Sequence, residues 1–307
     1  MDAARTEEQE ELAATVRGLL AKRSDSAAVR AAVETPEGYD TTLWTALCEQ
    51  IGVAALVVPE EYDGFGASLV ETAVVLEELG ANLAPTPLLA STLRAVQLVL
   101  HGSEDEKRAV LPGLAAGAVQ PFPLEAVVLE PRERTGTMDP TLRLALTDGP
   151  TDVPADVRDI SVALTSALQV GAMQRALDMT VSYTKERVQF GRAIGSFQAL
   201  KHRMADMLVR VEASRSASWG ATAAAAAYLD DPTSANRDRL ARLAPVAGAY
   251  CSEALHDVAA EMVQLHGGIA ITWEHDAQLV FKRAHALGQL NGPAHAHRAA
   301  ALARGAS

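Results

Sequence analysis

The stretch Tyr183 to Met207, YTKERVQFGRAIGSFQALKHRMADM, decides how the rest of the chain folds. It opens on the end of one helical pattern, breaks at Phe190-Gly191 and restarts as a second helix near Phe197-Gln198. An arginine, an aromatic and a glycine fall in the break, where backbone amides and a guanidinium can face a ligand. Arginine offers a planar fork of donors that suits anionic phosphate oxygens. The same residues also read as an ordinary helix–loop–helix with a salt-bridged arginine, and this stretch alone leaves both readings open.

Outward from that break the periodicity is helical in both directions. Upstream, Ile160, Ala163, Leu164, Ala167, Leu168, Gly171 and Ala172 keep i, i+3, i+4 spacing and predict a helix from Val157 to Lys185. Downstream, one long helix is expected from Gln198 to Leu229 and ends at Asp230-Asp231-Pro232. Another is expected from Asn236 to Leu265, closed by His266-Gly267-Gly268, then one from Leu279 to Leu290, and a terminal helix after Asn291-Gly292-Pro293. Long helices joined by short turns imply an up-and-down bundle.

The first half is helical too. Thr6 and Gln9 resemble a capping box for a helix to Lys22, which the polar Ser24-Asp25-Ser26 breaks. A helix with Leu43, Trp44 and Leu47 ends near Gly52. Ser68 caps a helix that Val70, Ala73, Val74, Val75, Leu76, Leu79 and Ala81 make apolar on most sides. Two more are expected, from Leu88 to Leu100 and from Glu104 to Leu111. Between Gly113 and Pro154 the character changes: prolines with AVVLE and LRLAL among them predict a short β-type hairpin or irregular segment. The expected divisions are 1–112, a helical domain; 113–155, a reduced middle segment; and 156–307, a helical bundle.

Composition narrows the function. The 307 residues carry a formal net charge of -12, which argues against nucleic acid or an anionic membrane as a partner. The alanine run at Ala221–Ala227 is too short to span a bilayer. The two cysteines, Cys48 and Cys251, form no metal or disulfide pattern, and with the acidic N-terminal stretch they point to a cytoplasmic protein. His295 and His297 lack a third ligand nearby and read as surface residues, so no metal is expected.

Several motifs in register resemble the acyl-CoA dehydrogenase family. RVQFGRAIGSFQ, from Arg187 to Gln198, is similar to its Arg-x-x-Phe-Gly loop and following Gln, and QLHGG, from Gln264 to Gly268, to its Gln-x-x-Gly-Gly turn. VVPEEYDGFG (57–66), the Glu77-Glu78-Leu79-Gly80 helix end and LPGLAAG (111–117) add matches in the first half. The resemblance implies an N-terminal helical domain, a middle β-domain and a C-terminal four-helix bundle. It further implies FAD held across a subunit interface and an acyl-CoA substrate oxidised at its α and β carbons. Arg187, Gln189, Phe190 and Gln198 would then touch the ADP half of an FAD held mainly by a neighbouring subunit, and Gln264, Gly267 and Gly268 would line the same dinucleotide. Gly267-Gly268 also fits a simple helix cap.

The departures shape the functional reading. The middle segment, roughly 40 residues, is too short for a β-domain with several paired strands. The family's two positions for a catalytic glutamate resemble Asn291 and Ser161 here, and neither side chain takes a proton near neutral pH. The glycine expected two residues after the pair is Ala270. These features point to a non-base subunit of a heteromeric (α2β2) acyl-CoA dehydrogenase of the actinobacterial steroid-CoA type. A full-length partner would supply the β-domain, the base and the acyl-CoA pocket. Two alternatives stand beside it: a structural or regulatory subunit without flavin contact, and a self-sufficient enzyme using Glu274, Asp276 or Asp159 as base.

Overall fold

The structure, a computed structural model, describes residues 5–119, 138–142 and 153–305. Helix α1 (Glu7–Arg23) begins with the expected reciprocal cap: the Thr6 hydroxyl accepts the Gln9 N–H, and the Gln9 side chain accepts the Thr6 N–H. A helix absent from the sequence reading follows at once. In α2 (Ser26–Glu34), Asp25 is not part of a break but the N-cap, accepting the Ala28 N–H at 2.8 Å. Helix α3 (Thr41–Ala46) continues through a π turn to Gly52, whose φ of 78° ends it. Helix α4 (Leu69–Asn82), capped by Ser68, is buried around most of its circumference, as its broad apolar pattern requires. Helix α5 spans Leu88–His101. Helix α6 (Glu104–Ala115) runs past the expected stop at Leu111, because Pro112 this near a C-terminus removes only one hydrogen bond.

The hairpin or irregular segment expected between Gly113 and Pro154 lies for the most part outside the described residues. Its described island, 138–142, is pinned to the helices by a fully buried ion pair. Asp139 meets Arg283 at 2.7 Å, and Arg283 also donates to the Thr141 carbonyl at 3.2 Å and the Leu83 carbonyl at 3.4 Å.

The second half matches its periodicity closely: α7 (Ala155–Glu186), α8 (Gln198–Asp230) and α9 (Ser234–His266) pack against one another. Helices α10 (Ala277–Leu287) and α11 (Ala294–Gly305) lie along α9. The two halves share one core. Helix α4 crosses α7 so closely that a Cβ on Gly171 would stand 1.9 Å from the Glu77 carbonyl oxygen. The chain is therefore mainly α, an N-terminal set of helices laid on a C-terminal bundle, and the described strands are two short ones. Strands β1 (Val188–Gln189) and β2 (Arg192–Ala193) pair antiparallel, Val188 opposite Ala193. Their two-residue turn, Phe190-Gly191, has φ of 53° and 78°, the doubly positive geometry that matches strand twist in tight hairpins. The break between α7 and α8 is thus a built hairpin.

Candidate functional site

Arg187 caps the C-terminus of α7, its N–H bonded to the Tyr183 carbonyl at 2.9 Å. Its own carbonyl accepts the Ile194 N–H at 2.8 Å, so the hairpin folds back over the helix end. The side chain is exposed, and among the described residues no carboxylate pairs with it. The salt-bridged reading therefore finds no support among the described residues. At the hairpin tip Phe190 is 92% exposed, an unusual state for a large apolar ring, and touches Phe197 edge-on at 6.1 Å. The Arg192 guanidinium lies 3.9 Å over the same Phe197 ring, a contact the sequence reading did not single out. Gln189 is exposed and its amide donates to the Val188 carbonyl; Gln198 opens α8 beside His202, also exposed.

The end of α9 contributes the second motif. Gln264, Gly267 and Gly268 are all exposed. Gly267 does cap the helix: its φ of 66° and ψ of -147° are accessible only to glycine, and its N–H bonds to the Val263 carbonyl. Gly268 has no such excuse. Its φ is not positive, and a Cβ there would meet nothing within 4 Å. Among the described residues nothing requires glycine at 268, whereas close approach of an external group to the backbone would.

The two motifs sit at one end of the bundle. The Tyr183 ring, one turn before Arg187, stacks on the His266 ring, next to Gly267, at 4.4 Å between centroids. An ion pair between Arg203 and Glu261 ties the start of α8 to the end of α9. The resulting surface offers a guanidinium with no carboxylate partner among the described residues, an exposed aromatic face and an open glycine backbone. Those groups fit the pyrophosphate and the base of a dinucleotide.

The two positions where the resemblance leads one to expect a base hold no carboxylate. Ser161 on α7 donates to the Asn291 side chain at 2.8 Å, and Asn291 donates to Thr165 at 2.8 Å. The two positions named from the sequence are thus direct neighbours, joined in a neutral network with no carboxylate. Other acids are otherwise engaged. Asp159 is held by Arg237 at 2.7 Å and Arg304 at 3.0 Å, and Asp276 by Arg30 and Arg175. Burial works against the Asp276 carboxylate, yet hydrogen bonds from Ser26 and Arg30 bring its pKa below the usual value. Such pairing makes either a poor base. Glu274 is exposed. His295 is exposed but His297 is buried, contrary to its surface reading, because it packs at Gly248 between α9 and α11. Among the described residues no cluster of potential ligands could hold a metal ion.

A cavity of about 930 Å³ lies elsewhere, between α1, α4 and α7, and is lined by Arg5, Arg17, Glu77, Glu78, Arg175 and Asp276. Its charges largely neutralise one another, as in the Arg5–Glu77 and Arg17–Glu78 pairs. No sequence pattern announces it, since its ion pairs join residues far apart in the chain. No helix is long and apolar enough to cross a membrane, among the described residues.

Comparison with known proteins agrees with this geometry. The family model for the acyl-CoA dehydrogenase N-terminal domain matches residues 6–118, and that for the C-terminal domain matches residues 161–305. Acyl-CoA dehydrogenase IpdE2 of Mycolicibacterium smegmatis is 44% identical over 94% of this chain and 96% of its own length. Among solved structures, a steroid acyl-CoA dehydrogenase, the Tcur3481-Tcur3483 G363A variant, superposes with a TM-score of 0.82 at 26% identity, covering 98% of both chains. The ChsE4-ChsE5 complex from Mycobacterium tuberculosis gives 0.83 at 23% identity, covering 100% of this chain and 99% of that one, a likeness of fold. With both domain models matched in order and a full-length relative at that identity, this chain belongs to the acyl-CoA dehydrogenase family, a family of FAD-dependent oxidoreductases.

Proposed function

We propose that this chain is the non-base subunit of a heteromeric acyl-CoA dehydrogenase and completes the ADP half of an FAD site whose remainder a full-length partner subunit supplies. The observation that carries this reading is the pairing of a bare, exposed Arg187 and an unexplained Gly268 with base positions that hold only Asn291 and Ser161. A half-site for the nucleotide persists where the acid–base machinery does not. FAD held there would supply the two-electron oxidation of an acyl-CoA held by the partner. Arg187 would neutralise the pyrophosphate, Phe190 and Gln189 would flank the nucleotide at the hairpin tip, and Gln198, Gln264, Gly267 and Gly268 would line it. The relatives' names, a steroid dehydrogenase among them, favour a steroid-derived CoA thioester as the substrate class.

A subunit without flavin contact would equally lack a base, but it gives no cause for an exposed arginine without a carboxylate among the described residues, at the same end of the bundle as an open glycine. Arg187→Gln separates the two. Hydrogen bonds to a charged group contribute about 1.5–3 kcal/mol, so the complex should bind FAD roughly 10- to 150-fold more weakly. Thermal unfolding of the isolated chain should barely move, because the Arg187 side chain has no carboxylate partner among the described residues. Unchanged flavin affinity in the variant complex would overturn the half-site.

A further inference from the structure

We propose that Tyr183, His266 and His275 form a clamp that sets the spacing of the two halves of the nucleotide site, and that the clamp holds only while both imidazoles are neutral. The inference rests on the shared-site reading above and adds a positioning role and a pH dependence to it.

The geometry places the rings directly behind the ligand-facing atoms. Tyr183 accepts the Arg187 N–H on its carbonyl, and His266 immediately precedes Gly267. Their rings stack at 4.4 Å with planes 23° apart, so the end of α7 and the end of α9 are registered through one contact. His275, at the far end of the loop that leaves Gly268, packs against both rings at 4.8 and 6.4 Å. The loop carrying the glycine pair is therefore held at its start and near its finish by the same cluster.

Hydrogen bonding fixes the protonation states. His266 Nδ1 lies 2.8 Å from the Met262 carbonyl, which only accepts, so Nδ1 carries a hydrogen and the neutral ring keeps its lone pair on Nε2. His266 is 4% exposed, and Nε2 is buried without a hydrogen-bond partner. His275 Nδ1 accepts the Ala277 N–H at 3.1 Å and is therefore unprotonated. A proton on His266 Nε2 would create a buried cation with no acceptor. The groups facing it are the His275 ring and Tyr183, and neither is a carboxylate. Around His275 stand Asp276, Arg175 and Arg30, and Asp276 is already shared by both arginines and Ser26. Burial accordingly pushes both histidines below their ordinary 6.5; the Met262 carbonyl opposes this at His266, and at His275 Asp276 opposes it while Arg175 and Arg30 add to it. In the folded chain they resist protonation that the unfolded chain accepts. The clamp is therefore fully stabilising above about pH 6.5 and weakens as pH falls towards the depressed values.

The test uses the flavin-loaded complex of this chain with its partner. Flavin affinity is measured from about pH 8 to about pH 5.5 for wild type, His266→Phe and His275→Phe, which keep a ring in place but cannot titrate. Wild type should lose affinity progressively as pH falls below about 6.5, by a few-fold at about pH 5.5, and His266→Phe should lose clearly less. Identical pH profiles in wild type and both variants would overturn the clamp. Nitrogen-15 imidazole resonances of His266 in the isolated chain give a reading that does not need flavin. A neutral Nδ1–H form near pH 6 supports the clamp, and a protonated ring there overturns it. A complex that never holds flavin would instead sink the shared-site reading, leaving the resonance result to judge the clamp alone.

Discussion

Replacing Asp139 by Asn tests how the short middle segment is fixed to the helices. Asp139 is fully buried and the Arg283 side chain is 3% exposed, with 2.7 Å between them. The other Asp139 oxygen accepts the Thr141 N–H at 2.9 Å and the Thr141 hydroxyl at 2.6 Å, closing a small turn around the charge. Asn matches the shape of Asp, so no cavity opens and the cost is electrostatic. The substitution leaves Arg283 buried without a carboxylate among the described residues. Breaking a buried pair from one side costs about 3–5 kcal/mol. At about 2 °C per kcal/mol for a chain of this size, the midpoint of thermal unfolding should fall by roughly 6–10 °C. Replacing both partners with apolar residues, Asp139→Leu with Arg283→Met, should recover most of the loss, since an apolar pair avoids desolvating two charges. A fall of under about 1 kcal/mol for Asp139→Asn would refute the view that this pair anchors the segment.

The glycine pair should split by mechanism. Gly267→Ala forces a side chain into a glycine-only conformation and should destabilise the isolated chain by about 1–3 kcal/mol, read by denaturant unfolding. Gly268→Ala meets open space and should change stability by no more than about 0.5 kcal/mol, yet weaken flavin binding by the complex. Asn291→Glu restores a carboxylate where the family keeps one, but the chain alone should show no turnover on any acyl-CoA. Flavin reduction by the isolated variant would count against the division of labour between subunits.

Much of the fold was legible because it is local. The long helices α7, α8 and α9 declare themselves by spacing over many turns, and capping residues such as Thr6 and Ser68 act within three positions. Where the reading failed, the competing signal was also local. Asp25 looks like part of a break but serves as the cap of α2, since a helix can start within two residues of another's end. Phe190-Gly191 hides a hairpin because its first turn residue is aromatic rather than Asn or Asp. The site was half legible. Arg187, Gly267 and Gly268 carry motif spacing, and the structure leaves them exposed at one end of the bundle. The hydrogen bond between Ser161 and Asn291 spans 130 residues, and the Arg283–Asp139 pair spans 144, so neither leaves a mark on a linear pattern. The Tyr183–His266–His275 cluster is hidden for the same reason.

The division of the FAD site between two chains is tested most directly by the visible absorption spectrum of this chain, purified alone and then co-purified with a full-length acyl-CoA dehydrogenase partner. Colourless protein alone and a yellow, stoichiometric complex are expected. Stoichiometric flavin bound to the isolated chain would contradict the shared site, and so would a stable complex that remains colourless when FAD is added.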